Sequence, residues 1–249
     1  MRVSRLLSIA LALALPLAAS AQQLTVSAAA SLTDAFKELA PKFEAAKPGA
    51  QLRLNFAASG ALLQQIAQGA PVDVFASADQ ETMDRALAQK LIEPDTRKNF
   101  ASNSLVLIEP AKDGPNLKTL QDLAGAPVKR IAIGKVETVP VGRYTQQALE
   151  SAQLWQPLQP KFVQADSVRQ VLDYVSRGEA EAGFVYRTDA AIMGDKVQIV
   201  LTATGHTPVT YPVAVVSESK EKALAKDFVA FLGSDAAQQV LAKYGFGKP

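Results

Sequence analysis

The sequence has 249 residues, of which 48% are hydrophobic, and its 26 basic and 24 acidic side chains nearly balance. It contains no cysteine, which excludes disulfides, thiolate metal sites and cysteine nucleophiles. No basic stripe of the kind that nucleic-acid binders carry is visible, and the length suits two domains of about 110 residues each.

The first 21 residues have the pattern of a secretory signal peptide. A basic start, Met1–Arg5, precedes the apolar run Leu6–Leu15, and Ala19-Ser20-Ala21 has the form of a cleavage site. We therefore expect cleavage after Ala21 and a near-neutral periplasmic protein that begins at Gln22. The alternative, an uncleaved anchor helix, is disfavoured because the apolar run is too short to span a bilayer well.

In the first half of the chain, short strands rich in valine and isoleucine alternate with helical patterns. The predicted strands are Leu24–Ser27, Leu52–Phe56, Val72–Ser77 and Asn103–Glu109. The predicted helices are Thr33–Ala46, Ser59–Gln68 and Gln80–Gln89. This alternation favours an α/β fold with a mostly parallel sheet flanked by helices.

The second half repeats the alternation. The predicted strands are Arg130–Gly134, Lys161–Val163, Ala182–Tyr186, Val197–Leu201 and Val213–Val216. The predicted helical segments are Val141–Ser151, Ser167–Arg177, Thr188–Met193, Lys220–Phe231 and Ser234–Tyr244. Uniformly apolar strands near residues 105 and 213 suggest two crossings between lobes. We expect one lobe from residues 22–103 plus 212–249 and a second from residues 104–211.

One pattern occurs twice: a strand, then alanines, then a serine where a helix begins. The copies end at Ser31 and Ser59. A serine there offers a hydroxyl beside free backbone N–H groups, in the positive potential of the helix dipole. Since ligands of open parallel sheets bind at the carboxyl ends of the strands, two such helix starts predict an anion site.

These serines could also have a purely structural role. Each could simply cap its helix, and Asp34 gives the first copy the form of a capping box. A serine hydrolase needs a base, and the single histidine, His206, lies in a turn far from both serines in the sequence. No nucleophile-elbow motif and no metal-ligand spacing accompanies them, so we expect neither an enzyme nor a bound cofactor.

Three further positions suit an anion site. Val141 follows Pro140 at a predicted helix start, where backbone N–H groups remain free. Val168 begins another predicted helix, with Asp166 as the expected N-cap. Tyr186 ends an apolar strand, and its hydroxyl requires a hydrogen-bond partner if it is buried.

With these residues in place, the chain resembles the periplasmic molybdate-binding proteins of ABC importers. The resemblance spans nearly the whole chain after residue 21. Its matching segments are Ala28–Thr33, Phe56–Ser59, Gly69–Gln80, Asn103–Val106, Val139–Tyr144, Val185–Tyr186, Tyr211–Ala214 and Lys243–Phe246.

The resemblance implies a two-lobed periplasmic-binding-protein fold with the ligand between the lobes. It implies that five residues hold a molybdate or tungstate ion: Ser31, Ser59, Val141, Val168 and Tyr186. The metal is then present only within this oxyanion, and no separate metal site is implied. It also implies a membrane ABC permease as partner and no nucleic acid, and a single copy suffices for such a carrier.

Alternatives remain at this point. The same scaffold could carry sulfate or thiosulfate, and an exported serine hydrolase or an adhesion or regulatory module without a ligand are further possibilities. A site made only of N–H and O–H donors favours a fully deprotonated dianion over hydrogen phosphate, and among dianions only cavity size discriminates.

Overall fold

The computed structural model describes residues 22–249, so the predicted signal peptide and its cleavage site lie outside the described residues. The ten strands of this part of the chain are β1 Gln22–Ala29, β2 Ala50–Ala57, β3 Val74–Ala76, β4 Lys98–Asn103, β5 Leu105–Pro110, β6 Ile131–Gly134, β7 Phe162–Ala165, β8 Ala182–Tyr186, β9 Val197–Thr202 and β10 Val209–Val215.

Nine α-helices accompany these strands within residues 22–249. They are α1 Thr33–Ala46, α2 Ser59–Ala67, α3 Gln80–Ala88, α4 Pro140–Ser151, α5 Trp155–Leu158, α6 Val168–Ser176, α7 Arg187–Ile192, α8 Lys222–Phe231 and α9 Asp235–Lys243. A short 3-10 turn over Ala30–Leu32 joins β1 to α1. No helix of this part of the chain is long and apolar enough to cross a membrane.

The strands form two five-stranded mixed sheets with the same layout. The first sheet has the order β2-β1-β3-β10-β4 and the second β7-β6-β8-β5-β9. In each sheet, the second strand in the order (β1 or β6) has parallel neighbours on both sides. The fourth strand (β10 or β5) runs antiparallel to the third and the fifth. The predicted two-lobed α/β fold is confirmed, and we call the two units the first and the second lobe.

The chain crosses between the lobes twice. The first crossing is at Ser104, between β4 and β5, and the second lies between Thr202 and Val209. The returning strand β10 begins at Val209 instead of Val213, so residues 209–211 pair with β4 in the first lobe, although the expected division at 212 assigned them to the second. The physical reason is a register shift between Tyr211 and Pro212, which lets the strand continue through a proline.

The helices pack apolar faces onto these sheets. Phe36, Leu39 and Phe43 of α1 are at most 1% exposed, as their helical spacing predicts. Phe228 of α8 packs edge-on against Phe43, with ring centroids 5.1 Å apart. These contacts anchor the outer side of the first lobe and leave the carboxyl ends of its parallel strands facing the second lobe.

Candidate functional site

A small cavity lies where the parallel strands of both lobes end. Its lining combines alanines of the first lobe with bulkier residues of the second: Ala29, Ala30, Ser31, Ala58, Ser59, Ala78, Val139, Pro140, Val141, Val168 and Tyr186. All five residues predicted from the sequence are in this set, and none is more than 4% exposed. The structure thus brings together positions up to 155 residues apart in the sequence, from Ser31 to Tyr186.

Neither serine of the first lobe caps its helix. Ser31 lies inside the 3-10 turn, and Ser59 is the first residue of α2 after its N-cap Ala58; neither helix start has a side-chain cap. The capping role considered from the sequence is therefore wrong. The hydroxyls have other partners: Ser31 Oγ lies 3.1 Å from Tyr211 Oη, and Ser59 Oγ accepts from the Ala78 N–H at 3.0 Å.

The second lobe brings backbone donors. Val141 lies in the first turn of α4 and Val168 is the first residue of α6, where N–H groups have no acceptor within the helix. Within the described chain, neither N–H group donates to another residue. The N-cap of α6 is Ser167, which accepts from the Gln170 N–H.

Asp166 is not the N-cap that the sequence suggested. Its carboxylate pairs with Lys135 Nζ at 2.5 Å on the surface, and its own backbone N–H donates to Gln170 Oε1. The extended backbone of Ser167 places its shorter side chain over the helix start instead. Val168 consequently stands at the very start of the helix, where its N–H is free.

Tyr186 contributes a hydroxyl without a partner. The residue is 1% exposed, and its Oη has no hydrogen-bond partner within the described chain. Burial raises the pKa of this phenol well above 10, so it is protonated and able to donate at neutral pH. A buried hydroxyl left unpaired is costly, and this cost is relieved if an acceptor occupies the cavity.

The electrostatics of the cavity come from backbone dipoles. The turn before α1 and the first turns of α2, α4 and α6 all contribute residues to the lining, which includes no charged side chain. Each helix start carries a partial positive charge of about half a unit. Residues 22–249 also hold no group of three or more His, Cys, Asp or Glu side chains that could bind a metal ion.

Two arginines of the second lobe form ion pairs with the first lobe beside the cavity, and we call these two contacts clasps. Arg143 pairs with Asp79 and, at 3.6 Å, with Glu81, and Arg169 pairs with Asp34. In the first clasp, Arg143 of α4 donates through Nε to Asp79 Oδ2 at 2.8 Å, and its Nη2 donates to Thr82 Oγ1. The side chains of Arg143 and Asp79 are 8% and 5% exposed. Asp79 also caps α3 by accepting from the Thr82 N–H. The guanidinium is therefore neutralised beside the cavity and does not line it.

The second clasp is more open to solvent. Arg169 of α6 pairs with Asp34 of α1 at 2.7 Å and with Asp189 of its own lobe at 2.6 Å. Asp189 is fully buried, and burial raises the pKa of its carboxyl to about 6. Asp34 is thus not the partner in a capping box that the sequence suggested, since its carboxylate bridges the lobes.

The two lobes also meet through backbone. The Gly60 N–H in the first turn of α2 donates to the Thr138 carbonyl of the second lobe at 2.9 Å. A Cβ on residue 60 would lie 2.6 Å from that carbonyl oxygen. Glycine is required there because any side chain would hold the lobes apart.

Sequence reasoning missed the residues behind the lining. Tyr211, which contacts Ser31, and Asn103, which donates to Tyr211 Oη at 3.2 Å, both fall in segments that carry the family resemblance. The only signal for them in the neighbouring sequence was a polar side chain next to an apolar strand. His206 contacts the carbonyls of Ala203 and Thr207, so it is not paired with either serine.

Comparison with known proteins places these features in a family. The model of the family "Bacterial extracellular solute-binding protein" matches residues 24–247. The chain is 39% identical to the molybdate-binding protein ModA of Escherichia coli K12, over 90% of this chain and 88% of that protein. It is 36% identical to ModA of Haemophilus influenzae, over 92% and 91% of the two chains. The solved periplasmic molybdate-binding protein of Azotobacter vinelandii superposes with a TM-score of 0.78 at 27% identity, covering 91% of this chain and 99% of that one.

Proposed function

The chain belongs to the bacterial extracellular solute-binding proteins, and from that premise we propose that it binds molybdate between its lobes and delivers it to an ABC permease. The observation that carries this proposal is the cavity itself. Helix starts from both lobes and three hydroxyls line it, and no charged side chain does. A cage of neutral donors is suited to a small, fully deprotonated anion.

The ligand set that we propose has seven donors. Ser31 and Ser59 each give a hydroxyl and a backbone N–H, Val141 and Val168 each give an N–H, and Tyr186 gives its hydroxyl. Seven donors suffice for the four oxygens of a tetrahedral dianion. Hydrogen bonds to a charged acceptor contribute roughly 1.5–3 kcal/mol each, so affinity is shared across the cage and no single contact dominates.

Protonation state and size set the selectivity. Hydrogen phosphate carries an O–H that needs an acceptor, and the proposed donor set provides none. Sulfate is fully deprotonated at neutral pH but smaller, so its oxygens reach fewer donors at good distance. Tungstate is nearly equal to molybdate in size, and we propose that the site accepts both.

Closure of the two lobes is the event that a permease recognises in this proposal. The ion completes hydrogen bonds to both lobes at once, and the two clasps and the Gly60–Thr138 contact form in the same arrangement. We further propose that the protein acts as a monomer in the periplasm after cleavage at Ala21. The catalytic alternative lacks a base at the serines, since His206 bonds elsewhere.

Calorimetric titration of the mature protein at pH 8, freed of oxyanions by denaturation, dialysis and refolding, tests the proposal. We expect one molybdate per chain, tungstate within about threefold of molybdate, and sulfate about 100-fold weaker because two or so of the bonds are strained. Hydrogen phosphate should bind at least about tenfold more weakly than sulfate, with an affinity measured by displacement, because its O–H finds no acceptor. Sulfate or phosphate binding as tight as molybdate would overturn the proposal.

A further inference from the structure

A chain of three polar side chains leads from the first crossing between the lobes to the cavity. Asn103 Nδ2 lies 3.2 Å from Tyr211 Oη, which lies 3.1 Å from Ser31 Oγ. Tyr211 is fully buried and Ser31 is 3% exposed. Since Ser31 lines the cavity, the direction of these hydrogen bonds determines what its hydroxyl presents there.

The backbone fixes the orientation of the Asn103 amide. Its Oδ1 accepts from the Ser104 N–H at 2.9 Å, and a backbone N–H can only donate. The NH₂ group therefore faces Tyr211 Oη, and it also donates to Thr188 Oγ1 at 2.9 Å. Asn103 thus acts as a donor toward the tyrosine.

The direction of the next bond follows. Either hydroxyl could donate in the bond between Tyr211 and Ser31. Because Asn103 already donates to the phenol oxygen, and Ser31 Oγ is the remaining partner of Tyr211 Oη among the described residues, the arrangement that satisfies both groups has Tyr211 donating to Ser31 Oγ. Burial raises the pKa of the Tyr211 phenol well above 10, so this proton is retained at neutral pH. Ser31 then accepts from Tyr211, and its own proton is left to point into the cavity.

We propose that Asn103 and Tyr211 are positioning residues that hold the Ser31 hydroxyl as a donor and thereby exclude protonated oxyanions. The inference rests on the proposed oxyanion binding and deepens it. Ser59 reaches the same polarity by a different route, because it accepts from the backbone N–H of Ala78. No side-chain substitution can reverse the direction of the bond from the Ala78 N–H, whereas a substitution at Asn103 can reverse the bonds that pass through Tyr211.

Asn103→Asp is the substitution that reverses the direction of these hydrogen bonds. A carboxylate at position 103 accepts from Tyr211, which in turn accepts from Ser31, so the Ser31 lone pairs face the cavity. Such a site has an acceptor for the O–H of hydrogen phosphate. Tyr211→Phe removes the connection and leaves the Ser31 hydroxyl free to turn either way.

The experiment compares sulfate with hydrogen phosphate at pH 8, where both are dianions, so added charge at residue 103 weakens both alike. We expect the ratio of sulfate to phosphate affinity to fall at least about tenfold in Asn103→Asp, the loss of one good hydrogen bond. In Tyr211→Phe we expect about tenfold weaker molybdate binding and a smaller fall in the ratio. Molybdate titration of the wild type, run alongside, tests the proposed function by itself.

The double variant Asn103→Asp/Tyr211→Phe is the matched control. If the polar chain carries the effect, Asn103→Asp should leave the ratio unchanged once Tyr211 is absent. An unchanged ratio in the single variant, or the same fall in both backgrounds, would overturn the inference while molybdate binding by the wild type still stands. Circular dichroism melts confirm that each variant is folded, and Tyr211→Phe supplies the test if Asn103→Asp does not fold.

Discussion

The two lobes are built on one plan but equip the cavity differently. In each, three parallel strands end at the cavity, and the next element begins there. The first lobe contributes serine hydroxyls set among alanines, whereas the second contributes backbone N–H groups beneath valine and proline side chains, together with Tyr186. In the proposed ligand set each wall gives two backbone N–H groups, and the first wall adds two hydroxyls where the second adds one.

This difference separates two tasks. Small side chains in the first lobe let an anion approach the strand ends closely, and hydroxyls can turn to meet its oxygens. The fixed amides of the second lobe can bond only when that lobe has reached one position. The first lobe is thus expected to supply most of the affinity, and the second to report that the lobes have closed.

Removing a hydroxyl from the first lobe should have the largest effect. Ser59→Ala deletes a donor to the ligand and leaves the Ala78 N–H without its acceptor, so we expect molybdate affinity to fall about 100-fold. Calorimetry measures it. Ser176→Ala, whose hydroxyl bonds the Asp173 carbonyl at the far end of α6, is the control and should bind like the wild type. A change within threefold in Ser59→Ala would contradict its place in the cage.

Deleting a single amide from the second lobe should cost somewhat less. Val168→Pro removes the N–H and exchanges the valine side chain for the proline ring. The backbone tolerates the change, since proline suits the first helical position and the extended Ser167 suits the residue before it. We expect about 30-fold weaker molybdate binding. Asp235→Pro, at the first position of α9, makes the same change away from the cavity. Equal affinities for the two variants would remove Val168 from the ligand set.

The tyrosine of the second lobe should separate binding from stability. Tyr186→Phe loses one donor, so molybdate affinity should fall about tenfold. It also removes a buried hydroxyl without a partner, so the free energy of unfolding of the ligand-free protein should rise by about 1 kcal/mol. Urea titrations of the ligand-free protein measure this. A destabilised variant would mean that the hydroxyl already has a partner in the free protein.

The two clasps differ in burial and should differ in effect. Asp79→Asn keeps the cap of α3 but leaves the buried Arg143 with only the exposed Glu81, 3.6 Å away, as a charged partner. We expect about fivefold weaker binding because the closed arrangement is destabilised. Asp34→Asn alters a half-exposed pair whose arginine keeps Asp189, and affinity should change less than about twofold. A larger loss of molybdate affinity in Asp34→Asn than in Asp79→Asn, measured by calorimetry, would show that burial does not determine how much each clasp contributes.

The smallest expected effect is that of pH. A phenol with an ordinary pKa near 10 would be mostly ionised at pH 10.5, so the protonated fraction that can donate would fall about fourfold. Because burial raises the pKa values of Tyr186 and Tyr211 well above 10, both remain donors there. Molybdate affinity should be flat from pH 7 to 10.5, and a decline centred at pH 10 would indicate an accessible phenol.

The two serine positions of the predicted site could be picked out from the sequence because each is marked locally, whereas the full set of five residues was what the family resemblance implies. A strand end followed by small residues and a helix start is visible within about ten residues, and the parallel sheet brings such points to one edge. The strand layout was predictable for the same reason. Strand β4 over Lys98–Asn103 was missed, since the sequence predicted only one strand, Asn103–Glu109, in that stretch. The start of the returning strand β10 was misplaced because Pro212 ended the pattern too early.

The supporting contacts could not be predicted because they join distant residues. Arg143 and Asp79 are 64 positions apart, and Ser31 and Tyr211 are 180 apart. Nothing local to Asp34 distinguishes a capping box from a bridge between lobes. Serine next to Asp166 likewise gives two candidate caps, and only the backbone angles of residue 167 decide between them.

The central claim, that one anion bonds both lobes at once, is tested most directly by a crystal structure of the molybdate complex with data collected at the molybdenum absorption edge. We expect one anomalous peak in the cavity, with oxygens 2.7–3.2 Å from the hydroxyls of Ser31, Ser59 and Tyr186 and from the N–H groups of Val141 and Val168. A peak outside the cavity, or an ion bonded to the first lobe alone, would contradict it.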